Sequence, residues 1–248
     1  MGRLSGKRSV VTGGARGIGY AVALAFAREG ATVAVLDRHG ASASRAAAEL
    51  SASGAKSFAF TMDVGIEESV ASILAEAEGA LGGIDILVNN AGIDTHSSVV
   101  NMPTTMWDEM MAVNLRSVFL CSRAVLPGMI RRNWGRIINI SSQLAHKGAP
   151  DMAHYAAAKA GIVGFTRSLA YEVIRNGVTV NAICPGPIDT DMYRANSETW
   201  RKRKLLELPI GRAGRVEEVA PTAVMLASDE GAYYVGATLN PNGGDVMI

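Results

Sequence analysis

Two side chains in the segment HYAAAKAG have the types and the spacing that proton transfer needs. Tyr155 and Lys159 are four residues apart, and positions i and i+4 of a helix lie on the same face. A free tyrosine has a pKa of about 10, which is too high for a base at neutral pH. An ammonium group at about 4 Å, at an effective dielectric constant of about 20, stabilises a phenolate by about 4 kcal/mol. The pair therefore predicts a phenol whose pKa is lowered toward neutrality and whose proton moves easily.

A glycine-rich segment near the start of the chain supplies the second half of this chemistry. Residues 12–19, TGGARGIG, follow a short apolar run and precede an alanine-rich one. Such a turn between a strand and a helix lets backbone N–H groups approach a pyrophosphate. Gly13 permits the tight turn, and Gly17 and Gly19 allow close approach of the backbone and packing of the helix on the sheet. Together the two segments predict proton transfer coupled to hydride transfer on an alcohol or ketone, beside a bound dinucleotide.

Short apolar runs alternate with longer helical stretches along the whole chain. The predicted strands are residues 9–12, 32–37, 57–63, 84–90, 135–141 and 178–184, with a weaker seventh strand in ATLNPNGG. The predicted helices are residues 18–29, 42–53, 67–81, 104–131 and 152–176. Near-continuous hydrophobicity in the strands is typical of a parallel sheet that is buried on both faces. The prediction is an α/β fold, a single domain over residues 1–248 with a Rossmann-type doubly wound sheet of about seven parallel strands and helices on both faces.

The composition argues against nucleic acid and membranes as partners. Of 248 residues 48% are hydrophobic and 19% are charged, and the formal net charge is +1, which gives no electrostatic basis for binding nucleic acid or an anionic membrane. No apolar run has the length of a membrane span, and the N-terminus does not resemble a signal peptide. Cys121 and Cys184 lie in apolar stretches and are expected to be buried free thiols in a reducing compartment. We therefore expect a cytoplasmic protein. We also expect no metal site, because Cys and His do not occur at the spacing of metal ligands.

The glycine spacing TGxxxGxG, together with the Tyr155–Lys159 pair, resembles the short-chain dehydrogenase/reductase family over nearly the whole chain. The resemblance implies a nicotinamide cofactor whose ribose Lys159 also binds. It implies that Ser142, thirteen residues before Tyr155, orients the substrate oxygen, and that Asn114 anchors a water linking Lys159 to solvent. Ser141 is the neighbouring candidate, and strand alternation points it the other way. The implied catalytic set is Asn114, Ser142, Tyr155 and Lys159.

The resemblance also implies the cofactor contacts. Asp37, at the end of the second predicted strand, can accept hydrogen bonds from both adenosine ribose hydroxyls and would repel a 2′-phosphate. Arg16 or Arg38 could instead reach such a phosphate, and the family often places arginine at one of these positions when it uses NADP. The sequence favours NAD over NADP. The other implied cofactor contacts are Gly13, Gly17, Ile18, Gly19, Asp63, Val64, Asn90, Ala91, Gly92, Tyr155, Lys159, Pro185, Gly186, Ile188 and Thr190.

The substrate is expected beyond the carboxyl ends of the strands. The predicted substrate residues are His96, Ser142, Gln143, Leu144 and Met192, with Asp94, Thr95, His146, Asp151, His154 and the rest of residues 192–208 also around the pocket. Residues 190–210 are expected to form a mobile lid. The polar members suit a sugar, a polyol or a small hydroxylated ketone, whereas Met192, Tyr193 and Trp200 suit an apolar substrate. Residues 201–204, RKRK, are predicted to be a solvated helix face, with attraction of an anionic substrate as the alternative.

The strongest overall resemblance is to the 3-oxoacyl-carrier-protein reductases, with sugar and polyol dehydrogenases nearby. Those reductases usually take NADP and lack an aspartate where Asp37 stands. Two arginines that dock the carrier protein align with Asn133 and Asn176, although Arg131, Arg132 and Arg175 are adjacent. The first hypothesis is therefore an NAD-linked dehydrogenase of a small alcohol, and the second is an acyl reductase. A regulator that binds a dinucleotide without catalysis is a third. The resemblance also implies a homotetramer that pairs helices 104–131 and 152–176.

Overall fold

The computed structural model describes residues 2–248, which form one seven-stranded parallel sheet. The strands lie in the order β3-β2-β1-β4-β5-β6-β7. Their bounds are β1 Arg8–Thr12, β2 Thr32–Asp37, β3 Ser57–Thr61, β4 Ile86–Asn89, β5 Gly135–Ile140, β6 Val178–Ile183 and β7 Thr238–Leu239. Strands β4, β5 and β6 are buried along their whole length, as their continuous apolar runs require. The predicted fold class is confirmed.

Helices cover both faces of the sheet and bury two separate apolar layers. Their bounds are α1 Gly17–Arg28, α2 Gly40–Ala52, α3 Glu67–Leu81, α4 Thr104–Met111, α5 Ser117–Arg132, α6 Ala153–Val173, α7 Asp191–Arg194, α8 Glu198–Glu207 and α9 Ala220–Ala227. Helices α1, α2 and α9 pack on one face, with Phe26 and Leu50 fully buried there. Helices α3, α5 and α6 pack on the other face, around Leu74 and Leu120. Among residues 2–248, no helix has the length and apolarity to cross a membrane.

The structure divides the predicted helix 104–131 into three parts. Between α4 and α5 the chain makes a π-helical turn, Ala112–Arg116, and such single turns are frequent at functional sites. The turn places Asn114, which is fully buried, against the loop that follows β4. Helix α9 was not predicted, because its eight residues follow a polar stretch and contain Pro221, which the first turn of a helix tolerates.

The strand order reverses between β1 and β4, so the loops after β1, β4, β5 and β6 meet at one edge. Ligands of doubly wound sheets bind at this switch point, outside the carboxyl ends of the strands. The predicted strands 57–63 and 84–90 are shorter in the structure, because Asp63 and Asn90 direct hydrogen bonds to turns rather than to a ladder. Cys121 and Cys184 are buried and free, as predicted.

Candidate active site

A cavity of about 1110 Å³ opens at this edge of the sheet. Its walls are the loops after β1, β2, β3, β4, β5 and β6, the first turns of α6, and helices α7 and α8. The predicted site residues that line it are Gly13, Arg16, Gly17, Ile18, Asp37, Arg38, Asp63, Val64, Asn90, Ala91, Gly92, His96, Ser142, Gln143, Leu144, Tyr155, Lys159, Pro185, Gly186, Ile188, Thr190 and Met192. Of the predicted catalytic and cofactor residues, Gly19 and Asn114 do not line the cavity. The topology thus brings chain segments from residue 13 to residue 192 to one site.

The glycine-rich loop is shaped for close approach of a ligand to its backbone. Gly13 and Gly17 have φ values of 59° and 57°, a region that side chains with a Cβ rarely occupy. A Cβ at Gly13 would lie 2.9 Å from the Cα of Ala91. The Asn90 side-chain amide donates to the carbonyl oxygens of Thr12 and Gly13, both at 3.0 Å. Asn90 therefore holds the loop after β1 in place as well as lining the cavity.

Gly19 does not line the cavity, and its contact with the cofactor remains a prediction. It is buried inside α1, and a Cβ there would collide with the Gly13 carbonyl oxygen and the Asn90 amide. A glycine is needed here because α1 and the glycine-rich loop pack too closely for any side chain at this position.

The first turn of α1 meets the requirements of a pyrophosphate. Arg16 stands at its N-cap without a side-chain cap, so the first N–H groups of the helix remain for an anion. These groups and the positive end of the helix dipole favour negative charge at this point. The glycines of the loop leave space that a Cβ would fill. This space and the free N–H groups of α1 fit the diphosphate of a nicotinamide dinucleotide.

Replacing Gly19 with alanine should therefore weaken dinucleotide binding strongly. The added methyl group meets backbone on one side and a side chain that is already bonded on the other, so the loop must move. We expect at least about tenfold weaker binding, which corresponds to about 1.4 kcal/mol, measured by quenching of tryptophan fluorescence. Gly79→Ala is the matched control, since a Cβ at Gly79 of α3 meets open space. Equal affinity in Gly19→Ala and the unaltered chain would contradict this account of the loop.

The far end of the cavity carries one carboxylate and two arginines. Asp37 Oδ1 accepts a hydrogen bond from the His39 backbone N–H at 3.0 Å, which fixes the carboxylate at the end of β2. Arg38 directs its Nε to the His39 ring at 3.2 Å. Arg16 is exposed and lies 3.5 Å from Asp191. The Asp37 carboxylate is thus fixed at the cavity wall by a backbone N–H, whereas the guanidinium groups of Arg16 and Arg38 contact side chains at the surface.

Tyr155 and Lys159 lie one turn apart on α6, on the same face, as predicted. Lys159 Nζ is 5.5 Å from the centre of the Tyr155 ring. It donates a hydrogen bond to the Ile140 carbonyl oxygen at 3.0 Å and is 4% exposed. The ammonium group is therefore anchored to the end of β5, between the phenol and the sheet.

The prediction that Lys159 lowers the phenol pKa is wrong for this structure. Burial raises the pKa of Tyr155 above its ordinary value, the Asp94 carboxylate raises it further, and hydrogen bonding with Ser142 offsets only part of this. Burial also lowers the pKa of Lys159 to about 8, although Cys184 and Asp94 act in the opposite direction. Desolvation by burial is the largest cause of both shifts, and it disfavours the charged form of each group.

Ser142 and Ser141 point to different sides of the chain. Ser142 Oγ accepts a hydrogen bond from the Leu144 N–H at 3.1 Å and donates to Gln143 Oε1 at 2.9 Å, at the cavity wall. Ser141 Oγ donates to the backbone carbonyl of Lys159 at 2.8 Å. Ser142 therefore lies at the cavity wall, where its hydroxyl would have to leave Gln143 to donate to a substrate oxygen, and Ser141 fastens β5 to α6.

Asn114 uses its amide on the loop that follows β4. Its Oδ1 accepts from the Ile93 N–H at 2.8 Å and its Nδ2 donates to the Ile93 carbonyl at 2.9 Å. A Cβ built on Gly92 would lie 3.0 Å from Asn114 Oδ1 and 3.7 Å from Lys159 Nζ. Asn114 is thus a neighbour of Lys159, and the amide positions the cavity wall. The water relay remains a prediction.

The part of the cavity where the substrate is predicted to bind is called the substrate end. It contains a carboxylate and a histidine from the loop after β4. His96 Nε2 lies 3.6 Å from Asp94 Oδ2, and burial raises the pKa of Asp94 while His96 and His154 lower it. His154 is fully buried, and its Nε2 is 2.8 Å from Thr95 Oγ1. His154 and His146 do not line the cavity, which corrects the prediction for both. His154 lies in the first turn of α6 and His146 in the loop before it, and both rings point away from the cavity.

Replacing Asp94 with asparagine should move the pH dependence of alcohol oxidation to lower pH. The Asp94 carboxylate raises the pKa of Tyr155, so its removal makes the phenolate easier to form. A base must be deprotonated to accept the alcohol proton, and the rise of kcat/KM with pH should therefore begin earlier. Initial rates across a pH series measure this, with exposed Asp108→Asn on α4 as the control. A profile shared by Asp94→Asn and the unaltered chain would refute the electrostatic link.

Helices α7 and α8 cover the substrate end. Met192, Tyr193 and Trp200 line the cavity, and the rings of Tyr193 and Trp200 meet edge to face with their centres 6.0 Å apart. The predicted solvated face over residues 201–204 is wrong for Lys204, which is buried. Its partner is Asp245, far away in sequence, so no local pattern indicates the burial. Lys147 also lines the cavity and was not predicted, because it has no motif around it.

The loop after β6 is held by backbone bonds. The Asp189 N–H donates to the Gly214 carbonyl at 2.8 Å, and the Gly214 N–H donates to Pro187 at 2.9 Å. Thr190 Oγ1 accepts from the Tyr193 N–H at 3.3 Å and caps α7. The predicted nicotinamide contacts Ile188 and Thr190 are thus fixed beside α7, opposite the glycine-rich loop.

Known proteins resemble the whole chain. The family model described as Enoyl-(Acyl carrier protein) reductase matches residues 13–245. The 3-oxoacyl-[acyl-carrier-protein] reductase FabG of Pseudomonas aeruginosa is 45% identical over 244 residues, covering 98% of this chain and 99% of that protein. The protein of the same name from Vibrio cholerae is 42% identical over 247 residues, covering 99% of each chain.

Solved structures agree with the fold and with the family. A short-chain type dehydrogenase/reductase from Mycobacterium marinum superposes with a TM-score of 0.95 at 33% identity, covering 99% of this chain and 97% of that one. The matches span the glycine-rich loop, the Ser142 loop and helix α6. The chain therefore belongs to the short-chain dehydrogenase/reductase family and is an oxidoreductase that acts on CH–OH groups with a nicotinamide cofactor.

Proposed function

We propose that this chain reduces the ketone of a 3-oxoacyl thioester to a secondary alcohol. The observation that carries the proposal is the identity of 45% over 98% of the chain to a 3-oxoacyl-[acyl-carrier-protein] reductase. The same name belongs to relatives from Vibrio cholerae, Escherichia coli and Staphylococcus aureus, at 39–42% identity. This support reverses the order of preference that the sequence alone suggested.

The chemistry follows from the groups around the cavity. Ser142 Oγ and the Tyr155 hydroxyl bind the ketone oxygen and hold the carbonyl carbon in place. The bound nicotinamide supplies hydride in the reduction and accepts it in the reverse reaction. Tyr155 gives its proton to the developing alkoxide, and its raised pKa keeps it protonated for this step. Lys159, with its pKa lowered to about 8, stabilises the phenolate that is left and can return a proton to it.

We propose NAD rather than NADP as the preferred cofactor. Asp37 stands at the end of β2 with its carboxylate fixed by His39, where a ribose 2′-phosphate would meet a negative charge. Arg16 and Arg38 are exposed and are bonded at the surface. The carboxylate therefore disfavours the extra phosphate more than the arginines favour it.

A small hydroxylated ketone, such as a sugar or polyol derivative, is the second candidate. The observation that favours it is the pair Asp94–His96 in the wall of the substrate end, at 3.6 Å. Carboxylate and imidazole groups bind hydroxyls, whereas an acyl chain offers them no partner. The docking arginines expected of the carrier-protein enzymes are absent at Asn133 and Asn176. The adjacent Arg132 is bonded to Ile84 and Asp85 within the chain.

One screen separates the candidates. The absorbance of the reduced nicotinamide should be followed with NAD(H) and NADP(H) against 3-oxoacyl thioesters, free and carrier-bound, and against sugars, polyols and hydroxy acids. We expect the largest kcat/KM with a 3-oxoacyl thioester and NADH. Preference for a sugar or polyol would replace the first candidate with the second. No turnover with any substrate would favour a regulator that binds a dinucleotide.

We also propose a homotetramer in the cytoplasm. Helix α5 leaves Phe119 and Ile130 exposed, and a Cβ on Gly164 of α6 would meet open space, so these helices can receive others. Gly161 serves packing within the subunit, since a Cβ there would lie 2.8 Å from Leu115. Light scattering after size exclusion should give four times the 26.0 kDa of one chain. A monomeric mass would contradict the assembly.

A further inference from the structure

One buried carboxylate near the end of the chain joins two walls of the substrate end. Asp245 Oδ1 accepts hydrogen bonds from Lys147 Nζ at 2.6 Å and from Lys204 Nζ at 2.8 Å. The side chain of Asp245 is 2% exposed and that of Lys204 is 10% exposed. Lys147 belongs to the loop that carries Ser142, and Lys204 belongs to α8; both line the cavity. These residues form the Lys147–Asp245–Lys204 cluster.

The backbone next to Asp245 is bonded to the chain on both sides of α7 and α8, which form the covering segment 190–210. The Gly186 N–H donates to the Pro241 carbonyl at 3.2 Å, just before this segment begins. The Ile210 N–H donates to the Gly243 carbonyl at 3.2 Å, where it ends. Residues 241–245 are therefore bonded to the chain just before the covering segment, to Lys204 within it and to Ile210 at its end.

The cluster depends on its charge. Burial by itself would raise the pKa of Asp245, but the hydrogen bonds from the two ammonium groups lower it below its ordinary value. Lys204 has one further partner, Glu207, at 3.3 Å, and Glu207 is half exposed. Without the Asp245 charge two ammonium groups would remain close together with one surface carboxylate. Hydration of Lys204 would then require α8 to move away from the cavity.

We propose that Asp245 is a positioning residue that holds helix α8 over the substrate end of the active site. It does not itself line the cavity, and it acts through Lys204 on the helix that presents Trp200 and Arg203 to the substrate. The dinucleotide contacts at the glycine-rich loop lie at the other end of the cavity. Loss of the cluster should therefore weaken substrate binding far more than dinucleotide binding. The inference uses the oxidoreductase activity and is independent of which substrate class is correct.

The test is Asp245→Asn, which keeps the shape and removes the charge. We expect KM for the substrate to rise at least about tenfold, with kcat and dinucleotide affinity nearly unchanged. Amide hydrogen exchange over residues 198–207, followed by mass spectrometry, should become faster. Asp245→Glu restores the carboxylate and should recover most of the loss in KM.

Two lysines of the same helix provide the matched comparison. Lys204→Met should reproduce the effects of Asp245→Asn, and it also serves if Asp245→Asn does not fold. Lys202→Met should not, because Lys202 is exposed and pairs with Glu198 at the surface. The double variant of Asp245 and Lys204 should lose less than the sum of the single losses.

Unchanged KM and unchanged exchange in Asp245→Asn and Lys204→Met would overturn the proposal. Equal effects in Lys202→Met, or a parallel loss of kcat and dinucleotide affinity, would also overturn it. If the chain turns over no substrate, the proposed function fails, whereas hydrogen exchange still tests the cluster.

Discussion

Tyr155→Phe is expected to lower turnover at least about 100-fold while dinucleotide affinity changes little. The substitution keeps the ring, which packs beside Lys159, and deletes the oxygen that carries the proton. Positioned acid–base groups contribute about 10²–10⁴-fold to rate, and the hydride acceptor is left in place. Steady-state kcat with the best substrate from the screen, together with a fluorescence titration of the dinucleotide, measures both parts of the prediction.

Tyr171→Phe is the control for this substitution. Tyr171 lies on the same helix and is 87% exposed, so loss of its hydroxyl should leave turnover and affinity unchanged. Near-normal turnover in Tyr155→Phe would remove the phenol from the reaction. A collapse of dinucleotide binding in that variant would mean that the hydroxyl maintains the cavity instead of moving a proton.

Asp37→Ala is expected to shift the ratio of kcat/KM for NAD over NADP toward NADP by at least about tenfold. A carboxylate and a phosphate charge at about 4 Å repel by about 4 kcal/mol at an effective dielectric constant of about 20, and tenfold requires only about 1.4 kcal/mol. The same change also removes an acceptor for the ribose hydroxyls, so kcat/KM with NAD should fall.

Asp37→Asn separates charge from hydrogen bonding. It removes the repulsion but retains an acceptor, so NADP should gain while NAD loses less than in the alanine variant. Glu76→Ala, an exposed carboxylate on α3, should leave the ratio unchanged. A constant ratio across both Asp37 variants would show that this residue does not face the ribose.

Much of the fold and of the cavity could be predicted from local patterns. The apolar strands and the alanine-rich helices between them predict a parallel sheet, because buried strands and βαβ connections permit few other arrangements. The glycine-rich loop and the Tyr155–Lys159 pair identified the two ends of the active site, since each is a short segment whose geometry depends on near neighbours. Identification of the family needed only these segments and their order.

The errors concern quantities that distant parts of the chain decide. The pKa of Tyr155 is raised because helix α6 is buried against the sheet, and desolvation cannot be read from a spacing of four residues. The positions of Gly19 and Asn114 behind the cavity wall also could not be read from the sequence, because their neighbours are residues 13, 90 and 93. The burial of Lys204 depends on Asp245, which is 41 residues further along the chain.

The sequence alone determined the fold class and the family and predicted a set of catalytic side chains, because these depend on periodicity and on motifs within one turn or loop. Only the tertiary structure decided which groups face the cavity, which of them are desolvated, and which carboxylate holds the covering helix. Those properties arise where segments remote in sequence meet, and burial and charge pairing there depend on the packing of the whole domain.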